Sequence, residues 1–213
     1  MRCAYCHNPD TWHQAGAELW TAEAILERAE RFRAYWGQEG GITVSGGEPM
    51  LQADFVTNLF EQAHRRGITT CMDTSAQPYR PGQRFDRLFR VTDTVLLDIK
   101  HIDDEAHRRL TGHTNQNILD CARRLCELDV PVWIRHVLVP RLTDDDEALH
   151  RLNLFLRTLT NIRRIDVLPY HSMGAYKWKQ LGLDYTLAET QSPTHDRVEN
   201  ARRILAEGVR LTR

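Results

Sequence analysis

The chain has 213 residues, of which 41% are hydrophobic and 27% charged, and its formal net charge is −1 with both signs interspersed. This length and composition are typical of one globular domain, residues 1–213, and the charge balance excludes a general attraction to nucleic acid or to an anionic membrane. The apolar runs are too short to span a bilayer, and the first residues are polar, unlike a signal peptide, so we expect a cytoplasmic protein.

The predicted elements alternate between helix and strand. Helices are predicted over 21–36, from Asp54 to before Gly67, over 85–89, 103–110 and 116–128, from Asp144–Asp146 onward and over 196–207; strands are predicted over 42–44, 68–72, 95–97, 132–139 and 165–168, with a final short one over 209–211. Most strands are continuous apolar runs, which is typical of parallel strands covered on both faces. The alternation predicts an α/β fold with a parallel sheet or barrel.

Polar residues gather at the ends of the predicted strands. They are Ser45–Glu48, Asp73 with Thr74, Asp98 with Lys100, Arg135 with His136, and Tyr170 with His171. The carboxyl ends of parallel strands meet at one rim, where α/β enzymes build their active sites. Each pair alone also fits a turn or, as with Asp98 and Lys100 on one side of a strand, an ordinary ion pair. Five in succession favour an active site.

The five cysteines are an odd number and do not suit a disulfide framework. Cys3 and Cys6 form a C-x-x-C pair, which fits a redox dithiol, half of a zinc site or iron–sulfur ligands. A zinc site lacks a convincing second pair, because Cys121 and Cys126 are five residues apart on a predicted helix. Those two and Cys71 are interpreted as core residues.

Two motifs carry a resemblance to a known superfamily. Residues 2–9, Arg-Cys-Ala-Tyr-Cys-His-Asn-Pro, and residues 45–49, Ser-Gly-Gly-Glu-Pro, resemble the radical S-adenosylmethionine superfamily, whose C-x₃-C-x₂-C motif has an aromatic residue before its last cysteine. Further blocks, at 6–12, 71–75, 97–100, 132–135, 168–171 and 177–178, resemble the pyruvate formate-lyase activating enzymes in the same order. No cysteine-rich insert separates Cys6 from the glycine motif, which favours this type over the larger activators.

The resemblance implies a fold and an activity. The fold would be a partial (β/α)6-type TIM-like barrel, and the enzyme would use S-adenosylmethionine, a [4Fe–4S] cluster and one electron to make a 5′-deoxyadenosyl radical. That radical would abstract a hydrogen atom from a glycine of pyruvate formate-lyase. The resemblance further implies flavodoxin or ferredoxin as the electron donor and a monomeric state.

The resemblance also implies roles for individual residues. Cys3 and Cys6 would be cluster ligands, and Lys100, Arg135 and His171 would form the catalytic set. The cofactor would contact Tyr5, Cys6, His7, Gly46, Gly47, Glu48, Asp98, Ile99, Lys100 and His171, and a monovalent cation would bind Asp73 and Thr74.

The sequence departs from the family pattern at its start. The first cysteine of the motif would lie four residues before Cys3, where this sequence has no position, and the first barrel strand would also lie upstream. Two thiolates would leave two cluster irons without protein ligands, so we expect the chain as given to be inactive or severely impaired. Two alternatives remain: a cluster-free remnant that binds a protein partner, and a related radical enzyme for a small molecule or another glycyl radical protein.

Overall fold

The computed structural model describes residues 1–12, 17–37 and 40–212. Five strands form one parallel sheet in chain order, β1-β2-β3-β4-β5. They are β1 Gly41–Val44, β2 Thr69–Thr74, β3 Thr94–Asp98, β4 Val132–Leu138 and β5 Ile162–Pro169. The predicted α/β class is confirmed, and the five parallel strands form part of a TIM-like barrel.

Helices connect the strands. They are α1 Ala22–Glu30, α2 Ala53–Arg65, α3 Gln83–Arg90, α4 Asp104–Thr111, α5 Gln116–Glu127, α6 Asp146–Leu156, α7 Ala175–Gln180 and α8 His195–Ala206, with 3-10 turns at Pro9–Trp12, Arg33–Tyr35 and Pro49–Gln52. None of the helices described is long and apolar enough to cross a membrane.

Side-chain caps fix where several helices begin. Asp103 accepts a hydrogen bond from the Ala106 amide at 2.9 Å, and Asp145 accepts one from Ala148 at the same distance. Each carboxylate satisfies an amide that has no partner within the helix. The predicted cap at Asp54 is wrong: α2 already begins at Ala53, so Asp54 lies inside the first turn.

The two faces of the sheet differ in burial. In β4, Val132, Ile134 and Leu138 are buried against the helices, whereas Trp133 and Arg135 on the other face are half-buried. The strands β2 and β3 alternate in the same way. The expectation that both faces are covered therefore fails for the described residues. The half-buried face carries the polar residues that lead to the rim.

Two predicted elements differ from the structure, and one helix in the structure had not been predicted. The first helix ends at Glu30, and a 3-10 turn replaces its predicted last part. Residues 209–211 form no strand, although the Thr212 amide bonds the carbonyl of Ile162 at 2.8 Å. The helix α7 has six residues, too few for a periodic apolar pattern, and was not predicted.

Candidate active site

The two N-terminal cysteines share one turn. We call residues 3–12 the cysteine loop. The Cys6 amide bonds the carbonyl of Cys3 at 3.0 Å, and the Ala4 amide bonds the carbonyl of Leu110 at 3.0 Å, which fixes this turn on the end of α4. Cys3 is 7% exposed, and burial raises the pKa of its thiol, although the cation of Lys100 opposes that shift.

Asp73, Arg135, Asp98 and Lys100 form a row of alternating charges, here called the charge row. Asp73 and Asp98 lie at the ends of β2 and β3, whereas Arg135 lies in the middle of β4 and not at its end as predicted. Arg135 in β4 donates two hydrogen bonds to the carboxylate of Asp73 in β2 and one to Asp98 in β3, at 2.9 Å. Asp98 also accepts a bond from Lys100 Nζ at 3.0 Å. The structure thus brings together four residues that the sequence placed on three different strands, with two acids balanced by two bases.

Lys100 joins the charge row to the cysteine loop. It is 8% exposed, and its ammonium lies 5.5 Å from the ring centroid of Tyr5, a cation–π contact. Burial lowers the pKa of Lys100, but Asp98, Tyr5 and Cys3 outweigh burial, so the net pKa is raised well above its ordinary value. Lys100 is therefore a permanent cation beside the cysteine turn.

The glycine motif is tied to the end of β2. Glu48 accepts hydrogen bonds from the backbone amides of Met50 at 3.1 Å and Ser75 at 3.0 Å, and from the hydroxyl groups of Thr74 and Ser75. Gly46 has φ +124°, and open space surrounds the position that its Cβ would take. The backbone at Gly46 therefore leaves room for close approach by a ligand, while Glu48 holds the motif in place.

Ile99 and His171 differ in burial. Ile99 is buried, its amide bonds the carbonyl of Arg135 at 3.0 Å, and its carbonyl accepts a bond from His136 at 2.9 Å. His171 is exposed, and its ring lies 4.3 Å from that of His7, centroid to centroid. The predicted site residues thus include a half-buried to buried group, the charge row with Ile99, and an exposed pair, His7 and His171.

Two site residues had no role predicted from the sequence. Trp178 donates its indole N–H to the carbonyl of Cys6 at 2.8 Å, and Ser75 binds Glu48 through both its amide and its hydroxyl. Both residues belong to sequence blocks that carried the family resemblance. That resemblance was the only sequence signal that could have drawn attention to them.

The donor atoms present allow a test of the implied cofactors. Thiols are the ligands that iron–sulfur clusters prefer, and Cys3 and Cys6 present two of them from one turn. Within 1–12, 17–37 and 40–212, His, Cys, Asp and Glu form no group of three able to hold a metal ion. The described residues therefore fit two of the three thiolate positions. The oxygens of Asp73 and Thr74 already contact Arg135 and Glu48, and the cation site there remains a prediction.

The parallel sheet, the cysteine turn and the glycine motif at one rim define an enzyme of the radical S-adenosylmethionine class. The model of the Radical SAM superfamily matches residues 1–152. A solved domain of the pyruvate-formate lyase-activating enzyme from Bacteroides vulgatus superposes with a TM-score of 0.67 at 26% identity, covering 81% of this chain and 98% of that one. A radical SAM methyltransferase from Sphaerobacter thermophilus has the same fold, with a TM-score of 0.70 at 19% identity, covering 99% and 61%.

The chain belongs to the pyruvate formate-lyase-activating enzyme family. It is 49% identical over 211 residues to the Streptococcus mutans enzyme of that name, covering 96% of this chain and 80% of the relative. It is 42% identical over 210 residues to the Listeria monocytogenes enzyme, covering 96% and 85%. Membership implies S-adenosylmethionine and a [4Fe–4S] cluster as cofactors.

Proposed function

We propose that this protein activates pyruvate formate-lyase by placing a radical on one of its glycines. When bound, the cluster and S-adenosylmethionine would supply the one-electron radical chemistry that removes a hydrogen atom from the glycine. The observation that carries this proposal is the contact of Tyr5 with Lys100. It joins the cysteine turn to the charge row, so that a cluster and its cofactor would share one rim.

Different residues at the rim would bind the cluster and the different parts of the cofactor. Cys3 and Cys6 would each hold one cluster iron. The ammonium of Lys100 carries three donors, of which Asp98 takes one and leaves the others for the carboxylate of the cofactor. The open backbone at Gly46 would receive the cofactor's amino end. Arg135 would keep the carboxylates of Asp73 and Asp98 neutralised where the cofactor enters.

The remaining contacts and partners in this proposal follow from the family resemblance. Asp98 and Ile99 would line the cofactor, and the ring pair of His7 and His171 would lie by its adenosine. The carboxylate of Asp73 and the hydroxyl of Thr74 would bind a monovalent cation. A flavodoxin or ferredoxin would deliver the electron, and the protein would act as a monomer.

Electron paramagnetic resonance tests the proposal. The chain is reconstituted anaerobically with iron, sulfide and an excess of a small thiol, which can fill a ligand position that the described residues do not, and is then reduced. We expect a [4Fe–4S] signal that changes when S-adenosylmethionine is added, and a glycyl radical signal when pyruvate formate-lyase follows. A cluster signal that does not change when S-adenosylmethionine is added would contradict the proposal.

The same experiment separates the alternatives. Cofactor cleavage without a glycyl radical on pyruvate formate-lyase would indicate another substrate, which a panel of glycyl radical enzymes would identify. A chain that takes up no iron but still binds pyruvate formate-lyase would be a cluster-free binding module. One observation favours the cluster-free binding module: the described residues offer no group of three metal ligands at one place.

A further inference from the structure

The segment after β5 returns to the cysteine loop and bonds it at two places. Trp178 in α7 donates its indole N–H to the carbonyl oxygen of Cys6 at 2.8 Å. Its neighbour Lys177 donates to the side-chain oxygens of Asn8 at 2.8 Å and Asp10 at 3.1 Å. Consecutive residues of one short helix thus hold the cysteine loop at Cys6 and again beyond it.

Ring and backbone contacts reinforce these bonds. The carbonyl of His171 lies 3.1 Å from His7 Nε2, and the edge of Trp12 packs on Trp178 with ring centroids 5.0 Å apart. A Cβ added to Gly174 would lie only 2.7 Å from the Cα of His7. The two backbones therefore touch at a position where only glycine fits without displacement.

The contacting segment is itself anchored. Trp178 is 7% exposed and packs on the ring of Tyr185 at 5.2 Å between centroids. The hydroxyl of Tyr185 lies 2.8 Å from that of Tyr170, which is fully buried just after β5. The cysteine loop therefore rests on a segment that is joined to the core.

The cysteine loop has few bonds of its own. Its backbone bonds to the rest of the chain through the Ala4 amide, and within itself through the amides of Cys6 and Thr11. Beyond Cys6 its only regular structure is the 3-10 turn at Pro9–Trp12. A segment with so few hydrogen bonds opens readily unless tertiary contacts hold it.

We propose that residues 171–178 form a clasp that fixes the cysteine loop, with Trp178 as a positioning residue for Cys6. The indole bond reaches the carbonyl of Cys6, and so it orients the peptide unit after that residue and thereby limits the directions in which the thiol can point. The inference rests on the proposed function, since Cys6 is there a cluster ligand. The bonds of the clasp join protein atoms only, and so the clasp is testable on the cluster-free chain.

Hydrogen exchange of the cluster-free chain tests the clasp. The variant Trp178→Phe keeps an aromatic ring against Trp12 and Tyr185 but removes the donor. We expect the amides of Cys6 and Thr11 to exchange about tenfold faster, as for loss of one buried hydrogen bond. The amide of Ala4, which is held by α4, should change little.

A matched control removes another indole donor. Trp20 donates to Glu18 at 2.9 Å on the exposed surface, so Trp20→Phe should leave exchange in the cysteine loop unchanged. A second variant, Lys177→Met, removes the bonds to Asn8 and Asp10 without touching the core, and should accelerate exchange mainly at Thr11. It keeps the test decisive if Trp178→Phe does not fold.

Two results would overturn the clasp. One is that the cysteine-loop amides of Trp178→Phe and Lys177→Met exchange at the same rate as those of Trp20→Phe. The other is that amide exchange becomes faster evenly over β2 to β4, which indicates general destabilisation. Neither measurement involves iron or S-adenosylmethionine. Failure of the clasp and failure of the proposed activity are therefore distinguishable, because either can occur while the other stands.

Discussion

Arg135 donates its Nε–H to Oδ1 of Asp98 at 2.9 Å, and the two residues are register partners in the neighbouring strands β4 and β3. The other edge of the same guanidinium binds Asp73 in β2. One cation thus lies between two carboxylates that are each less than a third exposed. Burial raises the pKa of Asp73, even though Arg135 opposes this shift. Arg135 therefore offsets the repulsion between the two acids, together with Lys100, which pairs with Asp98.

Replacing Arg135 by methionine should destabilise the chain by about 3 kcal/mol, because it leaves two partly buried carboxylates without their shared partner. Urea unfolding measures this loss. The control is Arg108→Met, which removes an exposed pair with Asp104 in α4 and should cost less than about 0.5 kcal/mol. Equal losses in the two variants would show that Arg135 is no more than a surface ion-pair partner.

The side chain of Glu48 should be more important for stability than an exposed glutamate. Glu48→Gln places an amide N–H₂ where Ser75 and Thr74 present donors, so at least one bond is lost and donors face each other. We expect a cost of about 2 kcal/mol in urea unfolding. Glu105→Gln, at an exposed pair with Arg109, is the control and should cost less than about 0.5 kcal/mol. A neutral Glu48→Gln would mean that Glu48 does not hold the glycine motif.

The sequence identified the rim residues but not their partners. Short apolar runs that stop at polar residues indicate where strands end, and so the order of residues places Asp73 and Asp98 at one edge of the sheet. The prediction for Arg135 is wrong, because this residue lies in the middle of β4 and only its side chain reaches Asp73 and Asp98. Partners depend on which strands are adjacent and on rotamers, which the sequence pattern does not encode. The cofactor contact of Glu48, which the family resemblance implies, stays a prediction, and the bonds of its carboxylate to Thr74 and Ser75 had no signal in the sequence pattern.

The clasp shows a second limit of sequence reasoning. The six residues of α7 make less than two turns, and the contacts of Trp178 and Lys177 reach residues more than 160 positions away. Neither periodicity nor local spacing records such contacts. They depend on the whole sheet, which brings the segment after β5 back to the beginning of the chain.

The two glycines of the motif should respond differently to alanine. Gly46→Ala forces an L-residue to φ +124° and should cost about 2 kcal/mol through backbone strain alone. Gly47 has no such backbone constraint, and its added Cβ would meet the carbonyl oxygen of Thr11 at 3.4 Å, so Gly47→Ala should cost less than about 1 kcal/mol. Urea unfolding of both variants gives the comparison. The reverse order would contradict the strained backbone at Gly46.

Stability should fall on mild acidification. Burial lowers the pKa of His101, His107 and His136, all of which are almost completely buried. A histidine with a lowered folded pKa binds fewer protons folded than unfolded. Its contribution to the free energy of unfolding is therefore complete above the pKa of about 6.5 in the unfolded chain. That contribution is lost as the pH falls below this value, by at most about 1.4 kcal/mol per pH unit for each histidine.

Urea unfolding at pH 7.5, 6.5 and 5.5 measures this slope, and His107→Asn isolates one contribution. His107 Nδ1 lies 2.7 Å from the carbonyl of His113, and an asparagine amide can donate there without titrating. The variant should lose less stability than the parent between pH 6.5 and 5.5. A parent chain that gains stability over that interval would contradict the assignment.

Iron uptake should depend on Cys3 and Cys6 but not on Cys126. Cys3→Ser and Cys6→Ser each replace a thiolate of the turn at the rim with a hydroxyl, a poor ligand for iron in a cluster, so each variant should lose most of its iron after anaerobic reconstitution with an excess of small thiol. Cys126→Ser is the matched control, because its Sγ only bonds the hydroxyl and amide of Thr160, roles that a serine hydroxyl can take over. Iron content and visible absorption should therefore match the parent in that variant alone. If all three variants retained iron equally, the cluster would not be bound by the cysteine loop. The rim at Tyr5 and Lys100 would then bind a different ligand.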